Sequence, residues 1–316
     1  MKYSKIAVLI LGIGLISNND SLAAKYAGEA FSLGAGARGL ALGGAVIAGP
    51  FDASAPYWNP AGLNSLAGQN IIAMHAEMFG SLLNHDFAAY TRYRGEKKFL
   101  SAFGFYFYYL GGDGIKLTDF DPTTGRPYIV REESHSDIIV SGALSGKLDD
   151  RLDWGVALKF LYRDLATVTG YGISADLGAV YKPFEYLAFG LTAADIFTGP
   201  ISYSNETTES INPTLKPAFL FTDSYKEFTA RLGISGDFKF EGLQHNSQYW
   251  MGDVSLDLHL GGEISYLEMI FLRAGSDVGR FTGGIGAEIK RVRFDAAYLN
   301  DSEFDETIRV SLGYSF

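Results

Sequence analysis

The chain has 316 residues, with 26 Lys and Arg against 36 Asp and Glu, a formal net charge of -10 and no cysteine. The acidic balance argues against a nucleic-acid partner, which needs a concentrated basic surface. The missing thiols exclude a disulfide scaffold, a lipid-modified cysteine and cysteine-based metal sites.

In chain order, Lys2 and Lys5 precede an apolar run over 6–16, and the small residues Ser21, Ala23 and Ala24 follow it. This is the layout of a cleaved secretory signal over 1–23. The run is too short for a membrane helix, which needs about 20 apolar residues, and no later run is long enough. The mature chain is therefore expected to be exported without a helical anchor.

The stretch 33–63, LGAGARGLALGGAVIAGPFDASAPYWNPAGL, is too broken by glycine and proline to be one regular element. Gly34-x-Gly36-x-x-Gly39 matches a dinucleotide-binding fingerprint by pattern, but no strand precedes it and no βαβ unit follows. Gly34, Gly36, Gly39, Gly43 and Gly44 instead suit tight turns and close packing. Pro56 and Pro60 bracket Tyr57, Trp58 and Asn59 and fix φ twice. The expectation is a compact plug over 24–68 without a helix or sheet.

From residue 69 onward the period is two, the mark of strands with one apolar and one polar face. Ile308, Val310, Leu312, Tyr314 and Phe316 oppose Thr307, Arg309, Ser311, Gly313 and Ser315; Trp154, Val156, Leu158, Phe160 and Tyr162 oppose Gly155, Ala157, Lys159 and Arg163. Fourteen strands are predicted, roughly over 69–79, 84–94, 98–110, 135–147, 151–163, 171–182, 185–196, 214–221, 227–240, 252–266, 268–275, 280–290, 291–299 and 306–316. Short connections alternate with long ones at 111–134, 197–213 and 241–251, the parity of a barrel with short periplasmic turns and longer outside loops. The fold expected is all-β: a transmembrane antiparallel β-barrel over 69–316, its lumen holding the plug. The nineteen Tyr and 23 Phe suit lipid-facing strands.

The run 36–45, GARGLALGGA, and 52–63, DASAPYWNPAGL, resemble the N-terminal segment of PorV/PorQ-like outer-membrane proteins, relatives of the FadL fatty-acid channel. The resemblance marks Gly36, Arg38, Gly39, Gly43, Gly44, Asp52, Tyr57, Trp58, Asn59, Pro60 and Gly62 as the plug motif. It continues weakly through 75–80 and at the C-terminus, where Tyr314 and Phe316 look like the signal read by the barrel-insertion machinery. It implies residence in the bacterial outer membrane, among its lipids, and a role in type IX secretion, binding the C-terminal domains of secreted cargo and handing them to other secretion-system components. The alternative is a FadL-like transporter moving a long-chain fatty acid or another hydrophobic small molecule past the plug.

Charges expected to face inward are His75, Glu77, Asp86, Arg92, Lys159, Arg163, Asp176, Arg231, Asp237, Asp257, His259, Glu263, Arg273, Glu288, Arg293, Asp295 and Arg309. Both signs occur, which favours a network of paired charges between wall and plug. Arg38 is the candidate for tying the plug to a wall carboxylate. Phe51, Tyr57 and Trp58 could line an apolar cavity. Ser134, His135 and Asp137 lie too close along one strand to converge on one point, so catalysis is not expected. Asp113, Asp119 and Asp121 lack the spacing of a dedicated calcium loop, and neither cofactor nor metal is expected. Pro217 deletes a ladder hydrogen bond and is the candidate for a lateral gap in the wall.

Overall fold

A computed structural model describes residues 28–78, 80–95, 99–197, 199–243, 246–300 and 306–316; the signal expected over 1–23 lies outside the described residues. The first strands are β1 Gln69–Met78, β2 Leu83–Tyr93, β3 Ala102–Phe120, β4 Pro127–Lys147, β5 Leu152–Leu165, β6 Thr169–Phe184 and β7 Leu187–Ala194. After the short strands β8 Gly199–Tyr203 and β9 Thr208–Ile211 come β10 Thr214–Tyr225, β11 Phe228–Lys239, the three-residue β12 Tyr249–Met251 and β13 Val254–Tyr266. The chain ends with β14 Ile270–Asp277, β15 Arg280–Ile289, β16 Val292–Leu299 and β17 Thr307–Ser315.

Each wall strand pairs antiparallel with the next. β7 passes to β10 and β11 to β13, over the short strands, and β17 returns to β1 through Asn70 opposite Ser315. The result is a closed transmembrane barrel of fourteen strands. Closure gives every wall strand a partner on both sides, as backbone in hydrocarbon requires. All fourteen expected strands are found. The long connections hold more structure than expected, because β3 and β4 continue past the wall as a two-stranded ribbon, and β8 and β9 form a hairpin leaning on β6 through Gly170 opposite Tyr203.

Alternation sorts the faces. In β5, Asp153, Gly155, Ala157, Lys159 and Leu161 are buried, whereas Leu158 and Phe160 are exposed; in β17, Thr307, Arg309 and Ser311 are buried and Ile308, Val310 and Leu312 exposed. The exposed rows form the greasy outer belt.

The first hairpin corrects the expectation. His75, Glu77, Asp86 and Arg92 point outward, and Ile72, Met74, Met78, Phe87 and Ala89 point in. Apolar groups won the inside because Tyr57, Tyr106 and Tyr108 meet them there: the Tyr57 ring lies 6.1 Å from Phe87 and 5.9 Å from Tyr106.

The N-terminal segment is not irregular throughout. It holds a 3-10 turn at Glu29–Phe31, helices α1 Ala37–Ala41 and α2 Ala55–Trp58, and a 3-10 helix at Pro60–Ser65. Pro56 and Pro60 sit at the starts of the last two, where a missing N–H costs nothing. The segment touches strands on opposite sides of the barrel: α1 meets β15, β16 and β17, while Pro60–Ser65 meets β4, β5 and β6.

Candidate functional site: an aromatic cavity between the N-terminal segment and the wall

Two sets of residues hold the N-terminal segment against the wall. At one end Arg38 donates from Nε to Glu263 at 3.0 Å and from Nη2 at 2.7 Å, a bidentate pair with both side chains buried. Glu263 also accepts from Arg231 at 3.0 Å and Arg273 at 2.6 Å, and Asp295 holds Arg273 and Arg293, each at 2.8 Å. The Phe271 ring lies beneath this cluster, 4.4 Å from the Arg293 guanidinium. Burial opposes the Arg38 charge, but the Glu263 carboxylate outweighs it and lifts the Arg38 pKa above its ordinary value. At the other end Asn59, fully buried, donates to the Ile47 carbonyl at 2.8 Å and the wall carbonyl of Ala179 at 3.2 Å.

The remaining motif residues shape the segment. Gly36 opens α1 at φ 76°. Gly39 lies beneath the Trp58 ring and Gly62 beneath Phe51. Gly43, at φ 61°, packs so tightly on Ser276 that a Cβ would come within 2.5 Å of its carbonyl oxygen, and its own carbonyl lies 2.9 Å from His259 Nδ1. Gly44 faces the same ring. Asp52 accepts from the Ser54 amide at 2.8 Å and its hydroxyl at 2.6 Å, closing a local turn.

Between these anchors a cavity of about 110 Å³ opens. Its apolar lining includes Phe31, Tyr57 and Trp58 from the segment and Tyr106, Ile139 and Leu161 from the wall. Tyr57 meets Trp58 edge-on at 5.2 Å and stacks on Tyr108 at 6.1 Å, so the aromatic surface is pre-formed. The Tyr57 hydroxyl donates to the Phe31 carbonyl at 2.9 Å and accepts from the Gly34 amide at 3.0 Å, and burial pushes its pKa up to about 12. The same lining carries paired charges: Lys159 with Asp176 at 2.7 Å and Asp195 at 2.6 Å, Lys216 with Asp237 at 2.5 Å, and Lys239 with Glu29 at 3.5 Å. Each ammonium is already matched by carboxylate, so the site offers no uncompensated positive charge to an anion. It can enclose something small, uncharged and apolar.

Of the residues expected to line an apolar space, Tyr57 and Trp58 do so here, while Phe51 instead borders a larger, open pocket with Pro50, Pro183, Phe184 and Tyr186 at the short-turn end. Pro217 lies within β10, which stays paired with β7 through Leu191. The β10–β11 ladder lapses at Lys216 and Pro217 and resumes at Ala218 opposite Ser235, so this wall is thinned rather than open. His135 Nε2 lies 3.1 Å from Asp137, whose carboxylate also takes Arg163 at 2.6 Å; both belong to an ion-pair chain, with Ser134 exposed on the ribbon. Asp121 accepts from the amides of Thr123 and Thr124 and serves the ribbon's tip. Tyr314 and Phe316 meet edge-on at 4.8 Å, and the Phe316 amide donates to Gln69 at 2.8 Å where the barrel closes. The wall residues Tyr106, Ile139 and Leu161 were not singled out from sequence. A usable signal was Tyr106 and Tyr108 alternating with Phe105 and Phe107: the phenols face inward, where Tyr108 donates to the Ala30 carbonyl at 2.6 Å, and the phenyls face lipid.

No protein-family model and no curated protein matches the chain. Among solved structures, its fold is similar to that of the CymD monoaromatic hydrocarbon channel, with a TM-score of 0.62 at 13% identity over 90% of this chain and 98% of that one. It is also similar to the Pseudomonas putida toluene transporter TodX, with a TM-score of 0.57 at 11% identity over 89% of this chain and 97% of that one. What this protein shares with both channels is the membrane-barrel fold.

Proposed function

We propose that the protein is a bacterial outer-membrane channel that passes a small, uncharged hydrophobic molecule, of the size of one aromatic ring, through a barrel plugged by residues 24–68. The observation that carries this reading is the aromatic cavity of about 110 Å³ between plug and wall. An apolar cavity of roughly 150 Å³ holds benzene, so a space of about 110 Å³ is at most of single-ring size and falls short of a long acyl chain. The hydrocarbon channels that share the fold support transport over the type IX secretion role that the PorV/PorQ resemblance implied. Secreted cargo and secretion-system components are accordingly left out of the proposal, and a catalytic role has no support from these neighbours, which are channels. The barrel's short turns face the periplasm and its long connections the outside, with Tyr314 and Phe316 as the insertion signal. The lapse beside Pro217, next to the cavity-lining Lys216 and Asp237, is the place for a sideways exit through the wall.

The test uses Trp58 as its own probe. With Trp154→Phe and Trp250→Phe, Trp58 is the sole tryptophan. Toluene should change its fluorescence saturably in the detergent-solubilised protein, and palmitate should not. A saturable change with palmitate alone, or with neither compound, overturns the proposal.

A further inference from the structure

From β3 round to β17, most outward positions are aliphatic, aromatic or small, with Asp164 and Asp223 near strand ends as exceptions. Examples are Phe105 and Phe107 on β3, Leu158 and Phe160 on β5, Leu232 and Ile234 on β11, and Val310 and Leu312 on β17. The β1–β2 hairpin departs from this. Its outward row reads Ile71, Ala73, His75 and Glu77 on β1, facing Tyr90, Ala88, Asp86 and Asn84 on β2. His75 Nδ1 lies 2.7 Å from Asp86 Oδ1, with 52% and 42% of the two side chains exposed. His75 is flanked by Val310 of β17 and Asp86 by Tyr109 of β3, so the pair lies in register with apolar and aromatic outward residues.

Charged groups on a lipid-facing wall are unfavourable, and a membrane protein keeps them where protein covers them. The neighbouring shape fits such a cover. Ala73 and Ala88 are direct cross-strand partners, and the bulky Leu312 and Phe107 flank them on either side. A barrel wall is convex, so two walls touch first along one line. Small residues on that line and large ones beside it give the widest contact.

We infer that the outward face of the β1–β2 hairpin is the interface of a two-fold dimer of this chain in the membrane. The charge pattern selects a second copy. With the two-fold axis along the membrane normal, β1 of each subunit faces β2 of the other. This sets each His75 opposite the partner's Asp86 and each Ala73 opposite the partner's Ala88, a self-complementary arrangement. The acidic Glu77 and Asp86 disfavour an anionic lipid headgroup as the cover.

The chain has no cysteine, so single substitutions report cleanly. Ala88→Cys and, separately, Ala73→Cys in the full mature protein are treated with a short bis-maleimide in native outer membranes, since like positions lie diagonally across the axis, with Ala274→Cys, outward on β14, as control. The expected result is a cross-linked dimer of twice the subunit mass from the hairpin variants, at several-fold higher yield than from the control. Adding Asp86→Lys to Ala88→Cys should lower that yield several-fold, and adding His75→Glu as well should restore it. Equal yields from hairpin and control positions, no rescue by the charge exchange, or a product with a protein of different mass would overturn the dimer.

Discussion

At the residue scale, Glu263 is the hub of the clamp between segment and wall, because it accepts from Arg38, Arg231 and Arg273. Removing one partner of a buried ion pair costs about 3–5 kcal/mol, since the other charge is left without compensation. Glu263→Gln leaves Arg38 without a carboxylate, while Arg231 keeps Glu268 and Arg273 keeps Asp295, and should cost about that much. Arg38→Ala leaves the carboxylate two partners and should cost less. Urea midpoints of the folded barrel in detergent, compared across the two variants, check the order. Tyr57 supplies a pH test whose sign follows from its burial. Its phenol titrates near 10 when unfolded and at about 12 when folded, so the stability it gives is present below pH 10 and lost as pH rises toward 12. Tyr57→Phe should shallow the fall in urea midpoint between pH 9 and pH 11, while lowering the midpoint at neutral pH through loss of its two hydrogen bonds. An unchanged alkaline slope would show that Tyr57 is already exposed or charged there.

At the scale of elements, close approach of the N-terminal segment depends on glycine rows on the inner wall. A Cβ at Gly155 of β5 would lie 2.3 Å from the Ala61 backbone nitrogen, and one at Gly190 of β7 would lie 2.4 Å from the Ile47 carbonyl oxygen. Gly142 of β4 faces outward, and its Cβ would meet only Phe105, at 3.5 Å. Gly155→Ala should therefore push the Pro60–Ala61 corner off the wall and raise ion leakage in planar bilayers, and Gly142→Ala should not. The same rows explain what could be read in advance. Strand positions followed from alternation, because lipid on one side and a crowded lumen on the other demand different side chains. Facing failed in β1 and β2, where the rule of apolar outward met a lumen locally filled by Tyr57, Tyr106 and Tyr108, and the hydrophobic residues turned inward to join them. In β3 both faces are aromatic and period alone gives no answer. Tyr57 and Trp58 were visible as part of the cavity because they sit in a short, unusual motif. Tyr106, Ile139 and Leu161 were not, because their role comes from what lies across the lumen.

For the whole molecule, the closed wall, the segment clamped across its inside and the small aromatic cavity make one prediction about selectivity. On the proposed function, the cavity sets an upper size for what would pass, and the paired lysines in its lining give an anion nothing to bind. Leu161→Trp fills the space from the wall side without touching the clamp at Arg38 and Glu263, so it separates passage from folding. The direct measurement is uptake of labelled toluene by intact cells in which the protein is present, deleted, or replaced by Leu161→Trp, at matched amounts of folded barrel. Several-fold slower uptake in both the deleted and the filled strain, with rescue by the unmodified chain, is the predicted result; equal uptake in all three would contradict a channel for small hydrophobic molecules.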